Sequence, residues 1–254
     1  MSILTGADHR AVGFFIAIFT GLLIYSSFQI FLWLNDNNKT DTEIKTIQNI
    51  ADNSKDNTQQ IDFDKLKSIN NEVIGWISVS NTNVDYPFVQ HSDNLYYLTH
   101  SFYKDKNNAG WVFMDYRNKT DFSDMNSILY AHGRVDGTMF GSLKNTLSND
   151  WYDKKEYYVF IKTPDRNYKF LIFSLYHIET TDDYLKTTFT KNSFDNFINI
   201  IKKRSVYNFN NNVNYGDRII TLSTCYNEKE KMVVQISRII VHDYSCIKKI
   251  DLIY

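Results

Sequence analysis

Two side chains in this sequence are of the types that carry out covalent chemistry together. Cys225 ends the strand-like run RIITLSTC, and His132 ends another, SILYAH. A thiol beside an imidazole supplies a nucleophile and a proton carrier, the minimum for acyl transfer through a thioester. Neither residue decides the matter alone, because a cysteine in a strand pattern is ordinarily a small buried hydrophobe. Of the six histidines, His132 stands in the loop-like segment LYAHGRVDGTMFGSL, where Gly133, Gly137 and Gly141 allow turns that other residues resist. His91 and His100 flank SDNLYYLT and read as surface or turn residues, while His177 and His242 fall in strand patterns. Cys246, in the tail YSCIKKIDLIY, is assigned no role.

The elements that position such a pair must fit 254 residues, 43% apolar and 16% aromatic, enough for one large core and an appendage. A net charge of -1 with no long basic run gives no electrostatic case for nucleic acid. Two cysteines cannot form a disulfide framework, and both read as thiols. The histidines are scattered, neither CxxC nor HxxxH occurs, and DNLYYLTH lacks the acidic density of a calcium loop. The expected enzyme therefore needs no metal or other cofactor.

From Ala11 to Leu34 the chain holds no charged residue, long enough for a helix to cross a hydrocarbon layer of about 30 Å. No small-residue cleavage site follows it, so an uncleaved anchor is expected. Arg10 and His9 against Asp8, with Asp36 and Lys39 on the other flank, give a weak bias toward a cytoplasmic N-terminus and an extracellular remainder. The expected organisation is a leader over 1–10, a transmembrane anchor over 11–34, a polar stalk over 35–62 and a catalytic domain over 63–254. Within the stalk, Ile44, Ile47 and Ile50 recur at a spacing compatible with a short amphipathic helix in a mobile spacer.

A helical pattern of Phe63, Leu66, Ile69 and Ile74 then gives way to short strands: WISVS, VDYPFVQ, GWVFMDY, SILYAH, YYVFIK, YKFLIFSLYHIE, RIITLSTC and MVVQISRIIV. Such a series predicts a closed barrel or a sandwich. One segment departs from it. In SFDNFINIIKKR, Phe194, Phe197, Ile198 and Ile201 lie at helical spacing, with Ser193 or Asn192 as candidate caps.

The stretch TLSTC at 221–225 resembles the TLxTC signature of sortases, membrane-anchored cysteine transpeptidases of Gram-positive bacteria. YAHGRVDGTMFGSL is similar to the segment that carries their histidine, and NEVIGWISVSNTNVDYPFVQHSDNLYYLTHSF with AGWVFMDYRN resembles the front half of the class B catalytic domain. The resemblance spans about 63–245 and implies a mainly β, sortase-like closed barrel. N-terminal helices would precede it, and one long helix would be inserted before the last two strands. It further implies that Cys225 is the nucleophile and His132 the general acid/base, acting on a threonine carbonyl in a sorting signal of Asn-Pro-x-Thr or Ser-Pro-x-Thr type. The implied partners are surface proteins bearing that signal and an amine of a peptidoglycan precursor or, in some members, a pilin lysine. Asn94 and Leu98 fall where class B enzymes line the peptide groove, and Ser223 shares a strand face with Cys225 by alternation.

The family's third catalytic residue is an arginine on the last strand. Two registers are open here. A tight YNEKE loop would put Lys231 at that position, whereas a longer loop would bring Arg238 there; the fork of an arginine favours Arg238 on chemistry, and strand length favours Lys231. Lys231 in that role would motivate a second reading, a sortase-fold surface module with impaired catalysis. A third is a cysteine protease in which hydrolysis outruns transfer.

Overall fold

Strands rich in Val, Ile, Phe and Tyr leave faces that must be covered, and this chain covers one of them by closing the sheet on itself. The structure, a computed structural model, describes residues 7–52, 61–225 and 229–238. Its strands are β1 (Val73–Val79), β2 (Asp85–Val89), β3 (Phe113–Met114), β4 (Asn126–Tyr130), β5 (Tyr158–Lys162), β6 (Asn167–Glu179), β7 (Ile219–Cys225) and β8 (Glu230–Arg238). They form a closed barrel in the order β1-β2-β3-β4-β7-β8-β6-β5. The β2–β3 and β4–β7 pairs are parallel and the others antiparallel. This is the closed barrel expected from the sequence, although GWVFMDY contributes only a two-residue strand.

Alternation assigns the two faces of the strands. Ile220 and Leu222 of β7, with Met232, Val234 and Ile236 of β8, pack inside with Trp76, Phe88 and Trp111. Ile219 and Val233 face outward into a second cluster under α4 (Lys191–Arg204), whose Phe194, Phe197, Ile198 and Ile201 are buried. This is the helix predicted before the last two strands. Its cap is neither Ser193 nor Asn192 but Thr190, whose hydroxyl accepts from the Ser193 N–H while Ser193 reaches back to the Thr190 N–H. The basic residues Lys202, Lys203 and Arg204 occupy the last turn, where they complement the helix dipole.

The N-terminal region departs further from the sequence reading. Helix α1 (Ala7–Ala51) runs unbroken through the apolar segment and on through the polar residues that follow. Its apolar side chains up to Leu34 are exposed, and among the described residues it is the one helix long and apolar enough to cross a membrane. Beyond Leu34 it docks on the barrel. Thr40, Glu43, Ile44, Ile47 and Ala51 are buried at helical spacing, and Ile44, Ile47 and Ala51 join the main core. Full burial stabilises each isoleucine by roughly 2 kcal/mol, enough to hold a helix that its polar composition alone would not. In place of a mobile spacer, residues 36–51 are thus an arm packed against the domain. Helix α2 (Phe63–Ile69) is capped by Asp62 and stops before β1, so Ile74 belongs to a strand and not to the predicted helix.

Candidate active site

The site is built on β7 between two neighbours. In the parallel β4–β7 ladder Tyr130 stands across from Ser223, and the Ala131 N–H donates to the Ser223 carbonyl at 3.4 Å. Two residues further along each chain segment come His132, past the end of β4, and Cys225, the last residue of β7. On the other side, antiparallel pairing sets Cys225 directly across from Lys231 with no shift in register. Cys225 and Lys231 on adjacent strands, and His132 two residues past the end of a third, thus belong to one end of the barrel.

His132 is held by main-chain contacts. Its Nε2 lies 2.8 Å from the Leu98 carbonyl, which can only accept, so Nε2 carries a proton and Nδ1 is the nitrogen left for proton exchange. The ring rests against Gly110, whose φ of +60° favours glycine; a Cβ there would lie 2.5 Å from the Tyr97 carbonyl oxygen and 3.1 Å from the imidazole. The loop after His132 is fixed in turn. Arg134 binds Asp136, Thr138 and Asn37 of α1, and Gly141 lies so close that an added Cβ would come within 2.1 Å of the Arg134 carbonyl oxygen. A helix outside the barrel therefore helps to set the loop that carries the histidine.

Beside this end runs a polar floor. Asp115, wholly buried, accepts from the Arg117 N–H at 2.9 Å, from Arg117 Nε and Nη2 at 2.9 and 2.7 Å, from the Tyr130 hydroxyl at 2.9 Å and from Asn94 Nδ2 at 3.1 Å. Burial alone would raise its pKa, but the hydrogen bonds and charge of Arg117, with the Tyr130 hydroxyl, outweigh it and hold the carboxyl below its ordinary value. The Tyr130 hydroxyl is pushed the other way, by burial and by the Asp115 charge. Ser223 Oγ lies 3.0 Å from the Tyr184 hydroxyl, and Tyr184 is contributed by the loop between β6 and α4. That loop is pinned by Arg204, which binds both oxygens of Asp183, and by Asn126 Nδ2, which donates to the Lys186 carbonyl at 2.8 Å.

A sortase-domain family model matches residues 77–243. Sortase B of Listeria monocytogenes is 33% identical over 225 residues, which is 85% of this chain and 91% of the relative. The chain belongs to the sortase family. Among solved structures, sortase B of Bacillus anthracis in complex with AAEK1 superposes with a TM-score of 0.73 at 31% identity, covering 81% of this chain and 99% of that one. A sortase B complexed with triglycine matches with a TM-score of 0.67 at 34% identity, covering 71% of this chain and 86% of that one. By family and fold this sortase is a sortase-type transpeptidase.

The ladder separates the two registers open in the sequence. In this sortase β8 is one continuous strand, and Arg238 pairs with Phe170 at the end of the barrel away from Cys225. Seven residues at about 3.3 Å each put it more than 20 Å from Lys231 along the strand. The chemical preference for Arg238 therefore gives way to geometry, and the cation across from Cys225 is Lys231. Of the groove residues expected from the resemblance, Asn94 joins the Asp115 network and Leu98 contributes its carbonyl to His132. Ser223 is buried beside Tyr184. Asp115, Arg117, Tyr130 and Tyr184 were not singled out in the sequence, although the DYR ending of an apolar strand run was a signal for the first two. Among the described residues, no three His, Cys, Asp or Glu side chains are placed to hold a metal ion. Tyr226–Glu228, His242 and Cys246 lie outside the described residues.

Proposed function

We propose that this sortase is a class B enzyme that anchors surface proteins to the cell wall, with Cys225, His132 and Lys231 as its reacting group. The thiolate of Cys225 attacks the carbonyl after which the sorting signal is cut, that of its threonine. The S–C bond forms, the C–N bond to the next residue breaks, and His132 hands a proton to the departing amine. An acceptor amine, in peptidoglycan or its precursor, then attacks the thioester, gives its proton to His132 and returns the thiolate. Lys231 supplies positive charge to the carbonyl oxygen as it becomes an oxyanion. The observation that supports the reading is that β8 pairs with β7 so that Lys231 stands across from Cys225, while β4, on the other side of β7, ends two residues before His132. The solved sortase B with triglycine supports an amine as the second substrate. Asn94, Leu98 and Ser223 line the peptide groove. α1 anchors the enzyme with its N-terminus cytoplasmic and the barrel outside.

Lysine in place of the family's arginine favours a second reading, a sortase-fold module with impaired catalysis. Lysine is a point charge on a flexible stem and lacks the planar fork. Intact mass measurement of the full chain with a panel of sorting-signal peptides, alongside Cys225→Ala, separates the two. A covalent adduct of the peptide's N-terminal fragment on the parent alone establishes the thioester route. Folded, reduced protein that forms no adduct with a broad panel would establish the impaired module.

A further inference from the structure

The unbroken α1 fixes where the active-site end of the barrel lies relative to the membrane. Leu34 ends the apolar segment and Asn37, three residues later, already bonds Arg134 of the His132 loop. Three residues of helix are about 4.5 Å. One residue earlier, Asp36 accepts from Asn108 Nδ2 at 3.1 Å, so the barrel begins at the turn where the apolar segment ends. A cavity of about 290 Å³ between helix and loop is lined by Trp33, Asn108, His132, Arg134 and Val135. Trp33, half exposed on the last turn of the apolar segment, is the residue type that settles at membrane interfaces. Val135, at the loop tip, is 95% exposed.

We propose that the loop following His132, with Val135 at its tip, rests in the interfacial layer of the same bilayer that α1 spans, so that the His132 side of the groove opens at the lipid headgroups. Continuity carries this assignment. The loop is bonded to the helix within one turn of its apolar segment, and there is no hinge between that segment and the docked arm. The exposed isopropyl group of Val135 and the indole of Trp33 supply the apolar contact. The Arg134–Asp136 pair and Asp36 beside them are charges that belong at headgroup level and not in hydrocarbon. The partner is thus a lipid surface in cis, engaged by depth more than by charge, since the loop's arginine is already neutralised by its own aspartate.

The proposal rests on α1 crossing the membrane but not on the thioester chemistry. Its test uses the full chain in phosphatidylcholine–phosphatidylglycerol vesicles, in a Cys225→Ala, Cys246→Ser background, with one environment-sensitive fluorophore on Val135→Cys. Two reference sites accompany it: Phe19→Cys inside α1, and Asp165→Cys, which is exposed in the β5–β6 turn at the opposite end of the barrel. The expected result is a blue-shifted emission at 135, quenched by headgroup nitroxide lipids and shielded several-fold from aqueous iodide relative to 165. Equal iodide access at 135 and 165, with 19 protected, overturns the proposal while leaving the anchor intact. A site 19 open to iodide overturns the anchor itself, and the proposal with it.

Discussion

Replacing Asp115 by asparagine keeps its shape and removes its charge. The oxygen now facing the Arg117 N–H and Nε still accepts, but the other position, which meets Arg117 Nη2, the Tyr130 hydroxyl and Asn94 Nδ2, becomes an NH2 group facing donors. Removing one partner of a buried ion pair costs about 3–5 kcal/mol. The Arg117 side chain is 42% exposed, and water recovers part of that loss, so about 2–3 kcal/mol is expected here. For a chain of this size that lowers the melting temperature by roughly 5–10 °C. The pH dependence gives an independent check. Because the folded pKa of Asp115 is depressed, its contribution is present above the unfolded value near 3.9 and disappears as the pH falls through the lower folded value. Melting of the detergent-solubilised full chain should show a gap between parent and Asp115→Asn that is full at pH 7 and narrows in acid below about pH 4. A variant melting within about 1 °C of the parent at neutral pH, or a gap unchanged in acid, would refute this account of the floor.

The remaining expectations use the same protein. Lys231→Ala should lower the rate of peptide cleavage by about two orders of magnitude, the usual effect of losing one oxyanion donor, while Lys231→Arg retains or raises it; an unchanged rate in the alanine variant removes Lys231 from the mechanism. Glu43, buried on the docked face of α1, has its pKa raised by burial against a smaller opposing effect of Lys39, and its Oε2 has no hydrogen-bond partner among the described residues. A raised pKa in an acid costs folded stability once the pH exceeds the unfolded value, so Glu43→Gln should stabilise the chain by on the order of 1 kcal/mol at pH 7 and lose that advantage in acid, as read by thermal melting. Gly141→Ala must displace the Arg134 segment from its 2.1 Å approach and should cost about 1–3 kcal/mol, with cleavage activity falling because His132 shares that loop; wild-type turnover would show that the loop does not set the histidine.

The barrel and the inserted helix were legible because each rests on a local pattern, β-branched and aromatic runs for the one and a 3.6-residue apolar stripe for the other, while the TLSTC and YAHG segments carried the family resemblance. The docked arm was not. Its buried positions are Thr40, Glu43, Ile44, Ile47 and Ala51 among Lys, Asp and Asn, and a stripe of two isoleucines and an alanine with polar neighbours cannot be told from a solvated helix until its partner surface is known. The Asp115 network was hidden for a related reason, because it joins residues from separate segments of the chain. The choice between Lys231 and Arg238 depended on the length of one hairpin, which residue types alone left open and the strand pairing resolves.

The α4 interface and the surroundings of Ser223 share the outward face of β7. Ile219, Thr221 and Ser223 alternate along the outward face of β7, the strand that ends at Cys225. α4 covers the Ile219 end with Phe194, Phe197 and Ile201, while at the Ser223 end the Tyr184 hydroxyl lies 3.0 Å from Ser223 Oγ. The loop that leads into α4 and carries Tyr184 is tied to the helix by Asp183–Arg204 and to β4 by Asn126–Lys186. Insertion of a helix before the last two strands therefore does more than extend the core. It covers the Ile219 end of the face and, through the loop that leads into it, holds Tyr184 beside Ser223. The same strand is buried from Ile219 to Thr224 and still ends at Cys225, the nucleophile proposed above.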